Sequence, residues 1–344
     1  MGPASKIRKG QRMSESRLVT VVVDAAGGDN APRHVLAGVT QALTDDPSLH
    51  VILTGPDEVV TPFAADHQRV EAHPTTEIIQ MDEHPANAVR SKKDSSIVVG
   101  CRLVRDGKAD AFFSAGSTGA CMAAATLIMG RIKGVQRPAI ATVMPTAGPP
   151  TVMLDVGANA DCKPEHLLQF AFMGAAYASV VLGVVGPRVA LLNIGEEPTK
   201  GSVLAQEAHQ LMVAKVPNFI GNIEGREVLA GVTDVVVTDG FTGNVALKLL
   251  EGTSKILLGQ VKDAMTGSTV AKTAAAVLRP ALNRLKDRLD PDTYGGAPLL
   301  GVDGICIIGH GSSKGKAVSN AIRVAAQAGR GGLTDQIASA IAGN

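Results

Sequence analysis

The sequence predicts a three-layer α/β/α fold, in which helices cover both faces of a doubly wound, mostly parallel β-sheet. Short runs rich in β-branched residues recur along the chain, and most of them end in a glycine-bearing turn. These runs are continuously apolar rather than alternating, which is typical of strands buried on both faces. Helical stretches separate them, as parallel strands require. Ligands bind at the carboxyl ends of such strands, where we expect the glycine loops to gather.

The strands follow from these runs in chain order. They are predicted at residues 18–23, 51–54, 111–113, 152–154, 189–192, 235–237 and 305–308. From residue 251 to 293 no strand signal appears, and the stretch is helical with breaks expected near Gly267 and Pro280.

Residues 167–187 carry no charge and are long enough to cross a bilayer. The segment is rich in Ala and Gly, however, and it ends in Gly-Pro. Pro164 and Glu165 stand where a helix would begin, and an apolar strand follows at once. We therefore predict a buried crossover helix rather than a membrane span.

A chain of 344 residues is long enough for one large α/β domain or two smaller ones. We predict a single domain over residues 18–334, with an embedded helical hairpin at residues 251–293. Residues 1–17 are polar and basic without an apolar centre, so they predict a flexible tail and no secretory signal. Met13 is an alternative start.

The composition argues against several classes of protein. The 33 Lys and Arg nearly balance the 32 Asp and Glu, and the chain has 7 Phe, 2 Tyr and no Trp. Neither the charge nor the aromatic content favours nucleic-acid binding. The four cysteines are far apart and form no CxxC, which argues against disulfides and a zinc site and favours the cytoplasm.

The segment 114–120 (SAGSTGA) follows a predicted strand and opens a helix. Small residues let the backbone approach an anion, and the free N–H groups of a helix start point at it. Hydroxyl groups add further donors. We predict a substrate anion site formed by Ser114, Gly116, Ser117, Thr118 and Gly119, with tight strand-to-helix packing as the alternative.

Two acidic glycine loops follow other strands. Asp24, Gly27 and Gly28 lie after the first strand, and Asp155 and Asn159 lie after the strand at 152–154. We predict that both loops contact substrate. The acidic residues invite a metal interpretation, but their spacing matches no tight metal motif, so neither a metal nor another cofactor is expected.

Three further loops carry polar groups suited to transfer chemistry. Lys200 follows the strand at 189–192, and a lysine there can neutralise phosphate or a developing oxyanion. Asn244, after Gly243, offers an amide donor. His310 and Ser312 follow the last strand. No GxSxG motif appears and no cysteine has an evident activating partner, so a covalent acyl-enzyme is not favoured.

The helical segment 251–293 carries an amphipathic pattern. Leu278, Leu282, Leu285 and Leu289 fall on one helical face, and basic residues such as Arg279 outnumber the acidic ones. Such a face can pack a dimer, lie on anionic lipid or dock an acidic protein. An ordinary surface helix that buries its leucines on its own core is the alternative.

Longer segments occur in the order and spacing of one enzyme family, and they cover residues 18–330. They are DAAGGDNAP (24–32), RSKKDSS (90–96), SAGSTGA (114–120), RPA (137–139), LDVGANADCKPEHLLQFAFMG (154–174), LLNIGEE (191–197), FIGNIEGR (219–226), VVVTDGFTGNVALKLLEG (235–252), YGGAPLLG (294–301) and HGSS (310–313). On these segments the chain resembles the bacterial phosphate acyltransferase (PlsX) family. The family usually has DAMGGD and SAGNTGA, whereas this chain has Ala26 in place of the methionine and Ser117 in place of the asparagine. The shorter serine would lose an amide contact.

The resemblance implies a Rossmann-like architecture related to phosphotransacetylase and isopropylmalate dehydrogenase. It also implies a reaction, in which phosphate attacks the thioester of a long-chain acyl-carrier protein and gives acyl phosphate for phospholipid synthesis. The family further implies a homodimer on the inner face of the cell membrane, where an integral glycerol-3-phosphate acyltransferase consumes the product.

The residues fit this chemistry, since phosphate needs positioning more than deprotonation. We expect the 114–120 helix start and Lys200 to bind phosphate. We expect Asn244, aided by the backbone amides of 240–244, to stabilise the oxyanion. His310 is expected to donate to phosphate or to the leaving thiolate.

Three alternatives stay open. A phosphotransacetylase-like enzyme would use coenzyme A thioesters with the same acyl-to-phosphate chemistry. An NAD-dependent decarboxylating dehydrogenase has a related fold, but no GxGxxG follows the first strand. A non-catalytic membrane scaffold would leave the glycine loops without a purpose.

Overall fold

A computed structural model of the chain describes residues 17–268, 273, 275, 277, 278, 280 and 293–343. The described strands form a single 11-stranded sheet. They are β1 (Val19–Asp24), β2 (Leu49–Gly55), β3 (Val70–Pro74), β4 (Ala111–Ser114), β5 (Ala139–Met144), β6 (Thr151–Leu154), β7 (Val189–Asn193), β8 (Phe219–Glu224), β9 (Val235–Val237), β10 (Ala297–Leu300) and β11 (Ile305–Ile308).

Helices connect most of these strands. They are α1 (Arg33–Asp45), α2 (Asp57–Ala65), α3 (Pro85–Ser91), α4 (Ser96–Arg105), α5 (Thr118–Ala124), α6 (Pro164–Val181), α7 (Val203–Lys215), α8 (Gly240–Thr266), α9 (Gly315–Arg330) and α10 (Leu333–Ala342). A π-helical turn, Ala125–Met129, extends α5, and a short 3-10 turn, Gly225–Glu227, follows β8.

Two apolar cores confirm the three-layer prediction. Alternate residues of each central strand face opposite cores: Val21 and Val23 face one, and Val22 the other. Helices α1, α2, α6, α7, α9 and α10 pack on the first core, whereas α3, α4, α5 and α8 contribute to the second. Burial on both faces explains why the strands are continuously apolar.

The uncharged segment at 167–187 lies largely in α6, which begins at Pro164 with Glu165 in its first turn. Most of its side chains are buried, including Phe170 and Tyr177 at 0% exposure. This confirms the predicted crossover helix. In the part of the chain that the structure describes, no helix is both long and apolar enough to cross a membrane.

The strands run in two parallel blocks of opposite direction. The sheet order is β3-β2-β1-β4-β11-β10-β5-β6-β9-β7-β8. The block β3 to β11 is parallel, and so is the block β6 to β8. Between them the β11–β10, β10–β5 and β5–β6 pairs are antiparallel. The carboxyl ends of the two blocks therefore point to opposite edges. We expected the glycine loops to gather at one edge, and this prediction was wrong.

The helical stretch predicted from residue 251 belongs to a helix that starts earlier. Helix α8 begins at Gly240 and ends at Thr266, so the break expected near Gly267 is confirmed. Residues 273, 275, 277, 278 and 280 are also helical. The predictions for Arg279, Leu282, Leu285 and Leu289 lie outside the described residues.

Replacement of Gly174 by Ala should destabilise the layer packing. A Cβ atom there would lie 2.6 Å from Val235 Cγ1 and 2.8 Å from Leu154 Cδ2. Because α6 lies directly on the sheet at this point, we expect the free energy of unfolding to fall by about 1–3 kcal/mol. Urea denaturation measures the change.

Gly259→Ala is the matched control, because a Cβ on this helical glycine of α8 meets nothing within 4 Å. It should raise the free energy of unfolding by about 0.5–1 kcal/mol. Equal stability of Gly174→Ala and the wild type would contradict the packing described here.

Candidate functional site

A cleft of about 590 Å³ lies over the antiparallel centre of the sheet, where the two parallel blocks meet. Its floor includes Ile140 and Thr142 of β5, Ala297 of β10 and Ile308 of β11. Loops from both edges of the sheet enclose it. The predicted site residues that line it are Gly116, Thr118, Asn244, His310 and Ser312.

Asn244 reaches the cleft because α8 begins in close contact with the loop after β6. A Cβ on Gly243 would lie 1.9 Å from the Asp155 carbonyl oxygen, and one on Gly240 would lie 2.6 Å from that of Asn159. Only glycine permits this approach. Gly157, in turn, lies beside the Asn244 side chain, 3.9 Å from its Oδ1 by the same measure.

The Asp155 carboxylate organises that loop. Its Oδ1 accepts hydrogen bonds from the amides of Ile140, Gly157 and Ala158 at 3.0–3.1 Å. Its Oδ2 accepts from the Asn159 amide at 2.7 Å and from Asn159 Nδ2 at 2.8 Å. Burial raises the pKa of Asp155, and these hydrogen bonds oppose the shift. Asp155 and Asn159, predicted as substrate contacts, thus hold the backbone beside Asn244.

The start of α8 has little free donor capacity. Asp239 caps the helix by accepting from the Thr242 amide at 2.8 Å. The Gly240 amide donates to the Asn159 carbonyl, and the Gly243 amide donates to that of Asp239. These three amides are engaged within the protein, so the expected help from the 240–244 backbone is reduced, and the Asn244 side chain is the donor that faces the cleft.

On the other side of the cleft, the loops after β1 and β4 share a buried hydrogen-bond network. Ser114 Oγ donates to Asp24 Oδ2 at 2.7 Å, and the Gly116 amide donates to Ser114 Oγ at 3.0 Å. The carboxyl of Asp24 is 1% exposed. Burial raises its pKa, while hydrogen bonds from Ser114 and the Ala26 amide oppose the shift. A Cβ on Gly27 would lie 2.5 Å from Asp24 Oδ2, so this corner requires glycine.

A second cavity of about 220 Å³ opens beside this network. Asp24, Gly27 and Gly28 line it, and it shares Met81 and Gly116 with the larger cleft. Asp24, Gly27 and Gly28 therefore border the site, while the Asp24 carboxyl is turned towards the protein.

Two residues of the 114–120 segment have packing roles. Ser117 is the N-cap of α5, and its Oγ accepts a hydrogen bond from the Ala120 amide at 3.4 Å. A Cβ on Gly119 would lie 2.6 Å from Pro85 Cγ, so this glycine lets α5 approach α3. The serine at position 117 thus caps a helix, which its short side chain suits.

The last loop presents His310 with one ring nitrogen occupied. Nδ1 lies 2.8 Å from Ser312 Oγ, and the Ser312 amide donates to the same nitrogen at 3.3 Å. An N–H that donates to Nδ1 assigns the proton of the neutral ring to Nε2. His310 therefore offers an Nε2–H donor at the cleft.

Lys200 lies outside the cleft. It is exposed in the loop after β7, where its amide donates to the Glu197 carbonyl and its carbonyl accepts from Asn193 Nδ2. Strand β7 pairs in parallel with β9, the strand that precedes α8, so the loops of Lys200 and Asn244 lie at the same edge of the sheet. Lys200 nevertheless does not line the cleft with Asn244 and His310.

Sequence reasoning missed the charged pair of the cleft. Lys248 and Glu251, both on α8, line it and form an ion pair of 2.9 Å. The signal was present, since Lys248 follows Asn244 by four residues and so falls on the same helical face. Among the described residues, no group of His, Cys, Asp or Glu is arranged to hold a metal ion.

Comparisons with known proteins identify relatives over nearly the whole chain. A family model described as fatty acid synthesis protein matches residues 19–336. A phosphate acyltransferase from Desulfitobacterium hafniense is 50% identical over 321 residues, which cover 92% of this chain and 96% of the relative. A phosphate acyltransferase from Nostoc sp. is 48% identical over 319 residues, covering 91% and 93%.

Solved structures support the fold. EutD phosphotransacetylase from Staphylococcus aureus matches with a TM-score of 0.60 and 19% identity, covering 95% of this chain and 98% of that one. A phosphotransacetylase from Streptococcus pyogenes gives a TM-score of 0.60 with 18% identity, covering 95% and 99%. At these identities the likeness shows the architecture alone.

Replacement of Asp24 by Asn should make the protein progressively more stable, relative to the wild type, as the pH rises above about 4. The native state holds Asp24 with a raised pKa. The wild type therefore loses stability as the pH rises from the unfolded-state pKa of Asp24 through its native-state pKa. The asparagine side chain of the variant does not titrate, so the variant keeps its stability over this range. Urea unfolding at a series of pH values measures the difference.

Asp94→Asn provides a control of opposite sign. Hydrogen bonds from the Thr76 side chain and amide lower the pKa of Asp94. This variant should lose stability relative to the wild type as the pH rises through the range below about 4. A pH-independent difference for Asp24→Asn would contradict the buried, perturbed carboxyl.

Proposed function

This chain belongs to the phosphate acyltransferase family, and from that premise we propose that its cleft transfers a long-chain acyl group from an acyl-carrier-protein thioester to inorganic phosphate. The single observation that carries the proposal is one of placement. The segment 114–120, Asn244 and the loop of His310 line one cleft, although they come from strands that end at opposite edges of the sheet.

The reaction needs little proton chemistry at its first step. A phosphate oxygen attacks the thioester carbonyl carbon, and the C–S bond breaks when the tetrahedral intermediate collapses. Acyl phosphate forms, and the carrier leaves as a thiolate that takes up a proton. Phosphate is already anionic at neutral pH, so the cleft serves mainly to position it and to stabilise the oxyanion.

Each group of the cleft suits one of these tasks. Gly116 and Thr118 place a small residue and a hydroxyl donor beside the phosphate position, where backbone can approach closely. Asn244 donates to the oxyanion through its amide. His310 donates through Nε2–H to phosphate or to the leaving sulfur. The phosphate role of Lys200 stays a prediction, because this lysine lies in an exposed loop outside the cleft.

The carrier-protein donor rests on the family resemblance. The alternative donor is the acyl-coenzyme A thioester of a phosphotransacetylase-like enzyme. Both donors present the same carbonyl to phosphate, so the choice between them depends on contacts outside the reacting atoms.

We also propose that the chain forms a homodimer and lies peripherally on the inner face of the cell membrane, near the glycerol-3-phosphate acyltransferase that consumes acyl phosphate. Exposed apolar side chains on α8 and at Leu278 support this proposal. Phe241, Val245, Leu249 and Ile256 are 52–69% exposed on one face of α8, and Leu278 is 53% exposed. Leu278 is thus not buried on the protein's own core.

Phosphate-dependent loss of thioester from palmitoyl-carrier protein, with acyl phosphate trapped by hydroxylamine, tests the reaction. We expect hydroxamate only when phosphate is present, and more from the carrier protein than from palmitoyl-coenzyme A. Asn244→Ala should lower kcat by about 10²–10³, because one oxyanion donor is lost. Preference for coenzyme A would select the alternative, and normal turnover by a folded Asn244→Ala would exclude its role.

Replacement of Leu278 and Leu282 by Glu should release the protein from anionic vesicles. The change removes apolar area and adds charge repelled by the lipid headgroups. Vesicle co-sedimentation measures binding, and thermal unfolding checks that the variant is folded. Unchanged binding by a folded variant would exclude this surface.

A further inference from the structure

One helical turn beyond Asn244, α8 places a lysine in the cleft. Among the described residues that line it, Lys248 is the only lysine or arginine, and Glu251 is the only carboxylate. The Lys248 Nζ donates to Glu251 Oε2 at 2.9 Å. The two side chains are 55% and 39% exposed, so solvent reaches both partners.

The position of Lys248 relative to Asn244 is fixed by the helix. Residues four apart on a helix have Cβ atoms about 5–6 Å from each other. Lys248 and Asn244 therefore extend from neighbouring points on one face of α8, and both line the cleft. Thr118, His310 and Ser312 line this space from the other side. It is the space in which the proposed function puts phosphate beside the thioester carbonyl.

Phosphate carries between one and two negative charges near neutral pH, and the other side-chain donors of the cleft are amide, hydroxyl and imidazole groups. A cation would compensate this charge, and Lys200 does not line the cleft. Lys248 meets the requirement, but Glu251 neutralises it as long as the two remain paired.

We propose that Lys248 is the cation that binds the phosphate to be acylated, and that Glu251 is its counter-ion when phosphate is not bound. This inference rests on the proposed function. Phosphate exchanges with Glu251 for the same ammonium group. The exchange is easy, because an exposed ion pair contributes little stability of its own.

The proposal gives the two partners opposite effects on phosphate affinity. Lys248→Gln should raise the KM for phosphate by about ten- to hundredfold, since a charge-assisted contact is lost. Lys248→Arg keeps the charge and should recover most of this loss. Glu251→Gln should lower the KM for phosphate by about three- to tenfold, because a competing and repelling carboxylate is removed. The KM for the acyl donor should change little in all three variants.

Binding can be measured without turnover. Inorganic phosphate, added without acyl donor, should raise the melting temperature of the wild type and, at lower concentrations, that of Glu251→Gln. It should have little effect on Lys248→Gln. Lys108→Gln is the matched control, because it removes one exposed positive charge far from the cleft lining and should behave as the wild type does.

The outcomes separate this inference from the proposed function. If the wild type forms no hydroxamate, the function fails, and the melting series still decides whether Lys248 binds phosphate. If Lys248→Gln and Glu251→Gln lose the same stability and leave the KM for phosphate unchanged, the pair is an ordinary surface contact and the inference is overturned. A raised KM for phosphate in Lys200→Ala with none in Lys248→Gln would also overturn it.

Discussion

The close contact between the start of α8 and the loop after β6 is the constraint on which the site depends. Gly243 and Gly240 bring the helix against the backbone of Asp155 and Asn159, at distances that leave no room for a side chain. The buried Asp155 carboxylate, through five hydrogen bonds, gives that backbone its shape. Because Asn244 and Lys248 lie in the helix that begins at this contact, the contact sets the direction in which both side chains project.

Two buried carboxyl groups act as internal scaffolds, one in each block of the sheet. Asp24 ties the loop after β1 to the loop after β4, and Asp155 ties the loop after β6 to β5. Burial raises the pKa of both, and hydrogen bonds from the protein offset part of the penalty. Since their acceptor atoms turn inward, the acidic loops do not repel an anion as their sequences would imply. Apart from Glu251, the polar side chains that line the cleft can all act as hydrogen-bond donors.

Much of the architecture follows from pattern, because strands buried on both faces are continuously apolar and glycine turns mark their ends. The edge strands β3 and β8 escape this pattern, since they include polar residues such as Glu71 and Glu224. Strand β10 contains Pro298 and no β-branched residue. The opposed direction of the two blocks could not be predicted either, because strand direction depends on partners distant in sequence. That direction separates the loop of Asn244 from those of Gly116 and His310, which end at the other edge of the sheet. The network around Asp155 was equally hidden, as hydrogen bonds from backbone amides leave no trace in residue type.

Helix α8 joins the chemistry to the molecular surface. Its first turns carry the amide and the ammonium of the cleft, and its inner side packs Leu247 and Leu250 against the second core. The opposite side exposes Phe241, Val245 and Leu249, which follow the four-residue spacing of a single helical face. A partner that covers this apolar face would contact the same helix that positions Asn244 and Lys248. The exposed apolar face and the cleft side chains thus belong to one helix, and the glycine contact at its start positions both.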